Sequence, residues 1–122
     1  MHVLIVEDNA ASLELAKYLL QAFGHSADGA ASACEGLAAA RNGSYDLVLA
    51  DIQMQDTDGY AFARGFKSDA SLHSIPLVAL TAMAMAGDRN LALEAGFDEY
   101  VPKPIDPVEF VPLLERLVGY GR

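Results

Sequence analysis

The residues able to do chemistry stand in a particular order. Glu7-Asp8-Asn9 follows a first apolar run, Asp51 ends Val48-Leu49-Ala50, Thr81 ends the run from Leu77 to Leu80, and Lys103 comes just after Val101. Each polar group follows a stretch whose burial would make a charge costly. If the carboxylates of Glu7, Asp8 and Asp51 converge, they cannot all stay charged unaided, because two unit charges ~4 Å apart repel by about 4 kcal/mol at an effective dielectric near 20. Raised pKa values or a cation must hold them together. Oxygen-only ligands suit Mg²⁺, which takes one or two protein carboxylates and keeps several waters. A hydroxyl such as Thr81 and an ammonium such as Lys103 facing that ion describe a site for a phosphoryl group, whose oxygens accept from both. Phosphoryl transfer needs mostly positioning and charge neutralisation, and Asp51, with no Ser, Cys or His at an equivalent position, is the natural nucleophile.

Positioning those groups falls to the elements around them. Short apolar runs alternate with longer segments of helical period, the pattern of βαβ units around a parallel sheet. Strands are expected at Val3 to Val6, weakly at His25 to Asp28, at Asp46 to Ala50, at Leu77 to Leu80 behind Pro76, and at Glu99 to Val101. Between them, Asn9 caps a helix whose inward face is Leu13, Ala16, Leu20 and Phe23, stopped by Gly24. Ala33, Leu37 and Ala40 line a second helix ended by Asn42-Gly43, and Asp58-Gly59 opens a third with Tyr60, Ala63 and Phe66. A fourth helix runs through Leu91 to Ala95 and stops at Gly96. Asp106-Pro107 caps a fifth, with Phe110, Leu114 and Leu117 facing inward.

These readings predict an α/β, flavodoxin-like, doubly wound sheet of five parallel strands in the order 2-1-3-4-5 with five flanking helices, as one domain over residues 1–122. Ligands of such sheets sit outside the carboxyl ends of the strands, which is where Glu7, Asp8, Asp51, Thr81 and Lys103 would then meet. At 52% hydrophobic with no Trp, the chain must build its core from Leu, Val, Ile and Ala. A formal net charge of -9 disfavours direct binding to nucleic acid or anionic membrane. No apolar run approaches ~20 residues, no signal peptide is visible, and the single Cys34 cannot form an internal disulfide, so a cytoplasmic location is expected.

The sequence closely resembles the receiver domain of two-component response regulators from Val3 to Leu117. The resemblance rests on Ile5-Val6-Glu7-Asp8-Asn9, Leu49-Ala50-Asp51-Ile52 with Asp58-Gly59, Leu80-Thr81-Ala82, and Tyr100-Val101-Pro102-Lys103-Pro104. Each motif is weak alone; together, in order and at strand ends, they are highly specific. By this resemblance Asp51 accepts a phosphoryl group from a phosphohistidine on a histidine kinase or histidine phosphotransfer protein. Glu7 and Asp8, with Asp51 and the Gln53 backbone carbonyl, hold Mg²⁺. Lys103 contacts the acyl phosphate, Thr81 swings to bond it, the Ala82 amide adds a bond, Tyr100 changes rotamer, and the Lys103-Pro104 peptide is cis. The resemblance implies a phosphorylation-activated switch for a downstream protein target, and no enzyme beyond its own phosphorylation and autodephosphorylation. No output domain is visible, which speaks against direct action as a transcription factor.

Two positions depart from the family. Gln55 stands where proline is usual, leaving the loop after Asp51 less rigid, and Pro112 inside the last helix removes a hydrogen bond to the Val108 carbonyl. Pro112 is expected to reshape the face of helix four, strand five and helix five that the family often uses for docking. His2, His25 and His73 have no ligand spacing and are expected at the surface or in turns. Met83 and Met85 are expected to pack, and Cys34 to be a small core residue. Gln53 and Met83 are candidates for tuning the phosphate lifetime. Among other functions, a receiver fold that docks without phosphorylation stays open. A metal-dependent phosphotransferase or nuclease would want a D-x-D pair, which Gln53 breaks, and an aspartyl-nucleophile phosphatase would want its Asp after strand one. Flavin binding would want Ser, Thr and Gly after strand one, where Glu7-Asp8-Asn9 is acidic.

Overall fold

A computed structural model describes residues 1–54, 58–82 and 88–119 of the chain. Among them, strands β1 (His2–Val6), β2 (Ser26–Ala30), β3 (Leu47–Asp51), β4 (Leu77–Thr81) and β5 (Glu99–Pro102) alternate with helices α1 (Ala10–Ala22), α2 (Ala33–Asn42), α3 (Gly59–Ser68), α4 (Asp88–Ala95) and α5 (Phe110–Val118). All strand pairs are parallel, as the alternation predicts, and their order β2-β1-β3-β4-β5 is the flavodoxin-like one expected. No helix among the described residues is long and apolar enough to cross a membrane.

Alternation along each strand divides the core into two layers. Leu4, Val6, Val48, Ala50, Leu77 and Ala79 face α2, α3 and α4, where Phe62, Ala63, Phe66, Ala92 and Ala95 meet them. Val3, Ile5, Leu47, Leu49, Val78 and Leu80 face the other way, against Ala16, Leu19 and Leu20 of α1 and Phe110, Val111 and Leu114 of α5. A sheet covered on both faces explains why β1, β3 and β4 are continuous apolar runs instead of alternating ones. Small alanines on the helices let them sit close to the sheet.

Local signals set the helix starts. Asn9 Oδ1 accepts from the Ser12 amide at 2.9 Å, Ser32 Oγ from the Glu35 amide at 3.1 Å, and Asp58 Oδ1 from the Tyr60 amide at 2.9 Å. Gly24, with φ +87°, ends α1 in the left-handed region, as its glycine predicts.

Several expectations are corrected. Phe23 caps α1 and is 46% exposed, because the helix ends before its inward face reaches that position. Strand β2 runs two residues further than expected: Gly29 and Ala30 have little β propensity but pair with Ile5 and Val6, and that pairing decides. Cys34 is exposed, while its neighbours Ala33 and Gly36 take the inward face. His25 is buried, its Nδ1 2.8 Å from the Met1 amine and its Nε2 2.7 Å from Glu115 on α5.

Helix α5 starts at Phe110, later than Asp106-Pro107 suggests. Asp106 Oδ1 does accept from the Val108 amide, and the Asp106 carbonyl from the Phe110 amide at 3.0 Å. Pro112 has no N–H for the Val108 carbonyl, so this first turn does not continue as α-helix. The proline therefore shortens α5 and leaves Val108 73% exposed. Gln55, Met83 and Met85 lie outside the described residues.

Candidate functional site

The parallel register carries the polar residues to one edge of the sheet. Asp51, the last residue of β3, pairs with Leu80, and Thr81, the last of β4, pairs with Pro102. Backbone bonds continue past the strand ends: the Glu7 amide donates to the Ala30 carbonyl at 2.9 Å, Ile52 to Leu80 at 2.9 Å, and Lys103 to Thr81 at 2.7 Å. Glu7 and Lys103 are thus held as firmly as strand residues although neither belongs to a strand.

Three of the groups are deeply buried: Glu7 is 1% exposed, Asp51 4% and Thr81 2%. Asp8 is exposed. One carboxylate oxygen from each of Glu7, Asp8 and Asp51 lies within 4.8 Å of the others. Lys103 lies across two of them, its Nζ 2.5 Å from Glu7 Oε1 and 3.1 Å from Asp51 Oδ2. The remaining oxygens are also held: the Asn9 amide donates to Glu7 Oε2 at 3.2 Å, and the Gln53 amide to Asp51 Oδ1 at 2.9 Å.

Burial pushes the Glu7 carboxyl above its ordinary range; the nearby Asp51 carboxylate pushes it further, and the donors Lys103 and Asn9 offset only part of this. Burial alone would lower the Lys103 ammonium, but hydrogen bonds to Glu7 and Asp51 outweigh it and the group is raised. Lys103 is therefore a permanent cation. One ammonium against three carboxylates leaves the cluster short of positive charge. That deficit, the all-oxygen donor set and the exposure of Asp8 on the open side fit a divalent cation such as Mg²⁺.

The residue after Asp51 packs closely against the first residue of α3. A Cβ on Gly59 would stand 2.3 Å from the Ile52 Cα, and the Gly59 amide donates to the Ile52 carbonyl at 2.9 Å. An isolated antiparallel bridge joins Gln53 to Asp58. Only glycine permits this approach, which sets the start of α3 against Ile52, the residue after Asp51.

Each residue singled out in the sequence and described here has a definite place. Glu7, Asp8, Asp51 and Lys103 come together, Thr81 ends β4 on the same edge with Ala82 next after it, and the Lys103-Pro104 peptide is cis. Tyr100 is half-buried on β5 and packs against the α2, α3 and α4 layer. Two features escaped the sequence reading. Asn9 was legible as a helix cap, but its amide contact to Glu7 was not. An apolar cleft of about 360 Å³ beside Lys103, formed by Ala11, Ser12, Leu15, Ala82, Lys103, Pro104 and Ile105, draws on α1 and the segments after β4 and β5, and nothing local in the sequence links them.

The sequence matches the family described as "Response regulator receiver domain" over residues 3–115. The polar-differentiation response regulator DivK of Brucella ovis is 35% identical over 117 residues, which are 96% of this chain and 95% of DivK. Among solved structures, a putative response regulator from Chloroflexus aurantiacus superposes with TM-score 0.91 at 25% identity, covering 97% of each chain. The receiver domain of the Pseudomonas aeruginosa sensor histidine kinase PA1611, with a magnesium ion coordinated in its active site cleft, superposes with TM-score 0.88 at 30% identity, again covering 97% of each. Strand order, acidic edge and family match agree: this chain belongs to the response regulator receiver domains of two-component signalling.

Proposed function

We propose that this chain, as one receiver domain over residues 1–122, is a phosphorylation-activated signalling switch in which Asp51 is the phosphoacceptor. The observation that carries the reading is the Lys103 ammonium lying between buried Glu7 and Asp51, with Asp8 beside them. In the reaction, an Asp51 carboxylate oxygen forms a bond to phosphorus as the bond from phosphorus to a donor histidine nitrogen breaks, and the imidazole leaves with the electron pair. Lys103, 3.1 Å from Asp51 Oδ2, neutralises charge on the transferred group. Glu7, Asp8, Asp51 and the Gln53 carbonyl would hold Mg²⁺, whose part is to neutralise phosphoryl oxygens. The Gln53 amide fixes the second Asp51 oxygen, so a single oxygen is presented.

Thr81, the Ala82 amide and Lys103 then bond the new phosphoryl group. Moving a two-state domain from 1:99 to 99:1 takes about 5.5 kcal/mol, and hydrogen bonds to charged groups contribute ~1.5–3 kcal/mol each, so three are of the right order. Tyr100 would move with Thr81, carrying the change to the side of α4 and β5. The donor is a histidine kinase or histidine phosphotransfer protein in the cytoplasm. Its docking is supported by the apolar cleft beside Lys103 and by Ala11, Leu15, Tyr18 and Ala22, which form an exposed stripe on α1 at helical spacing. The switch acts on a protein target, with no direct role for nucleic acid or membrane.

Intact mass after incubation with acetyl phosphate tests this. We expect one base-labile phosphoryl adduct that requires Mg²⁺ and is absent in Asp51→Asn. No adduct, together with no binding of beryllofluoride as a phosphoryl mimic, would leave a fold that signals by docking alone.

A further inference from the structure

The geometry points to Asn9 as a positioning residue for the cation site: it couples the cap of α1 to the orientation of Glu7, and so sets Mg²⁺ affinity. This rests on the reading of Glu7, Asp8 and Asp51 as Mg²⁺ ligands. Asn9 is a junction of three hydrogen bonds. Its side-chain oxygen accepts from the Ser12 amide at 2.9 Å, its carbonyl from the Leu13 amide at 3.0 Å, and its own amide donates to Glu7 Oε2 at 3.2 Å. The first two tie Asn9 to the first turn of α1 and hold it in extended backbone, φ -89° and ψ 116°. The third is therefore aimed by the cap.

Glu7 is clamped from two ends. Lys103 holds Oε1 and the Asn9 amide holds Oε2, so this buried carboxylate has a fixed orientation next to Asp8 and Asp51. Without the Asn9 amide, Oε2 would lose its backbone donor and the carboxylate could turn about its Lys103 contact. The amide is backbone and survives any substitution except proline, but its direction does not survive loss of the cap. Groups that orient a metal ligand without touching the metal typically govern affinity by about 10–100-fold.

A control exists within the chain. Ser32 caps α2 in the same way, accepting from the Glu35 amide, on a different helix from the one whose cap residue donates to Glu7. Calorimetric titration of the whole chain with Mg²⁺ alone, paired with thermal melts, separates positioning from mere stability. Asn9→Ala should weaken Mg²⁺ binding about 10-fold and lower the melting temperature, while Ser32→Ala should lower the melting temperature similarly and leave Mg²⁺ binding unchanged. Asn9→Ser, which keeps a cap acceptor, should restore most of the affinity. Asn9→Gly supplies a variant that folds even if Asn9→Ala does not, since glycine is tolerated at a cap yet frees the backbone; it should lose affinity too. Equal Mg²⁺ affinity in Asn9→Gly, Asn9→Ala and wild type, or an equal loss in Ser32→Ala, would overturn the inference while the metal reading stood. Absence of Mg²⁺ binding by the wild-type chain would sink both.

Discussion

Lys103 sets the behaviour of the site at the scale of single residues. Replacing it by Met would leave Glu7 and Asp51 buried without that ammonium, a change of the kind that costs roughly 3 kcal/mol. We expect denaturant unfolding of Lys103→Met to show most of this loss without metal and less of it in Mg²⁺. The raised Glu7 carboxyl gives a pH dependence with a definite sign. Its contribution to stability is fully present below the ordinary value of 4.5 and is lost as pH rises through the elevated folded value. Metal-free stability should therefore decline across that window, whereas Mg²⁺ affinity, which needs the ionised carboxylate, should climb. Melts at stepped pH with and without Mg²⁺ would check both directions. The residues of this site were largely legible, because each acid or lysine ends an apolar run and burial there calls for a chemical reason. His25 was not legible: its partner Glu115 lies 90 positions away, and no local pattern announces a buried imidazole.

At the scale of elements, the packing of Gly59 against Ile52 is the most demanding contact. Gly59→Ala places a methyl 2.3 Å from the Ile52 Cα, so the backbone at Ile52 or Gly59 must shift; overpacking of this kind costs about 1–3 kcal/mol. The displacement falls at the residue after Asp51, so phosphorylation should slow as well as stability fall, measured by melts and by adduct formation in parallel. Pro112→Ala tests the other irregular element. Restoring an N–H opposite the Val108 carbonyl should extend α5 toward Asp106 and raise helical circular dichroism, with a stability gain below about 3 kcal/mol. Unchanged helix content would show that something other than the missing N–H ends α5 at Phe110. The alternation of strand and helix was plain in the sequence, since buried parallel strands are unbroken apolar runs. Where it misled, tertiary partners decided: Gly29 and Ala30 become strand by pairing with β1, and Cys34 is turned outward because Ala33 and Gly36 occupy the sheet side of α2.

For the whole molecule, the design is a rigid two-layer core with one charged edge. The sheet is covered on both faces, and the unbalanced charge gathers where β1, β3, β4 and β5 end. Binding of Mg²⁺ to the folded chain alone should raise stability by about 2.7 kcal/mol at a concentration 100 times its dissociation constant. A shift that persists in Asp51→Asn at much reduced size, and vanishes when Glu7 and Asp8 are both replaced, is the expected pattern in thermal melts. The central claim, that Asp51 itself takes the phosphoryl group, is tested most directly by borohydride reduction of the phosphorylated chain followed by peptide mass analysis. An acyl phosphate on Asp51 is reduced to homoserine at that position, which is the predicted result. Intact Asp51 in a fully phosphorylated sample, or a reduced side chain at Glu7 or Asp8, would contradict it.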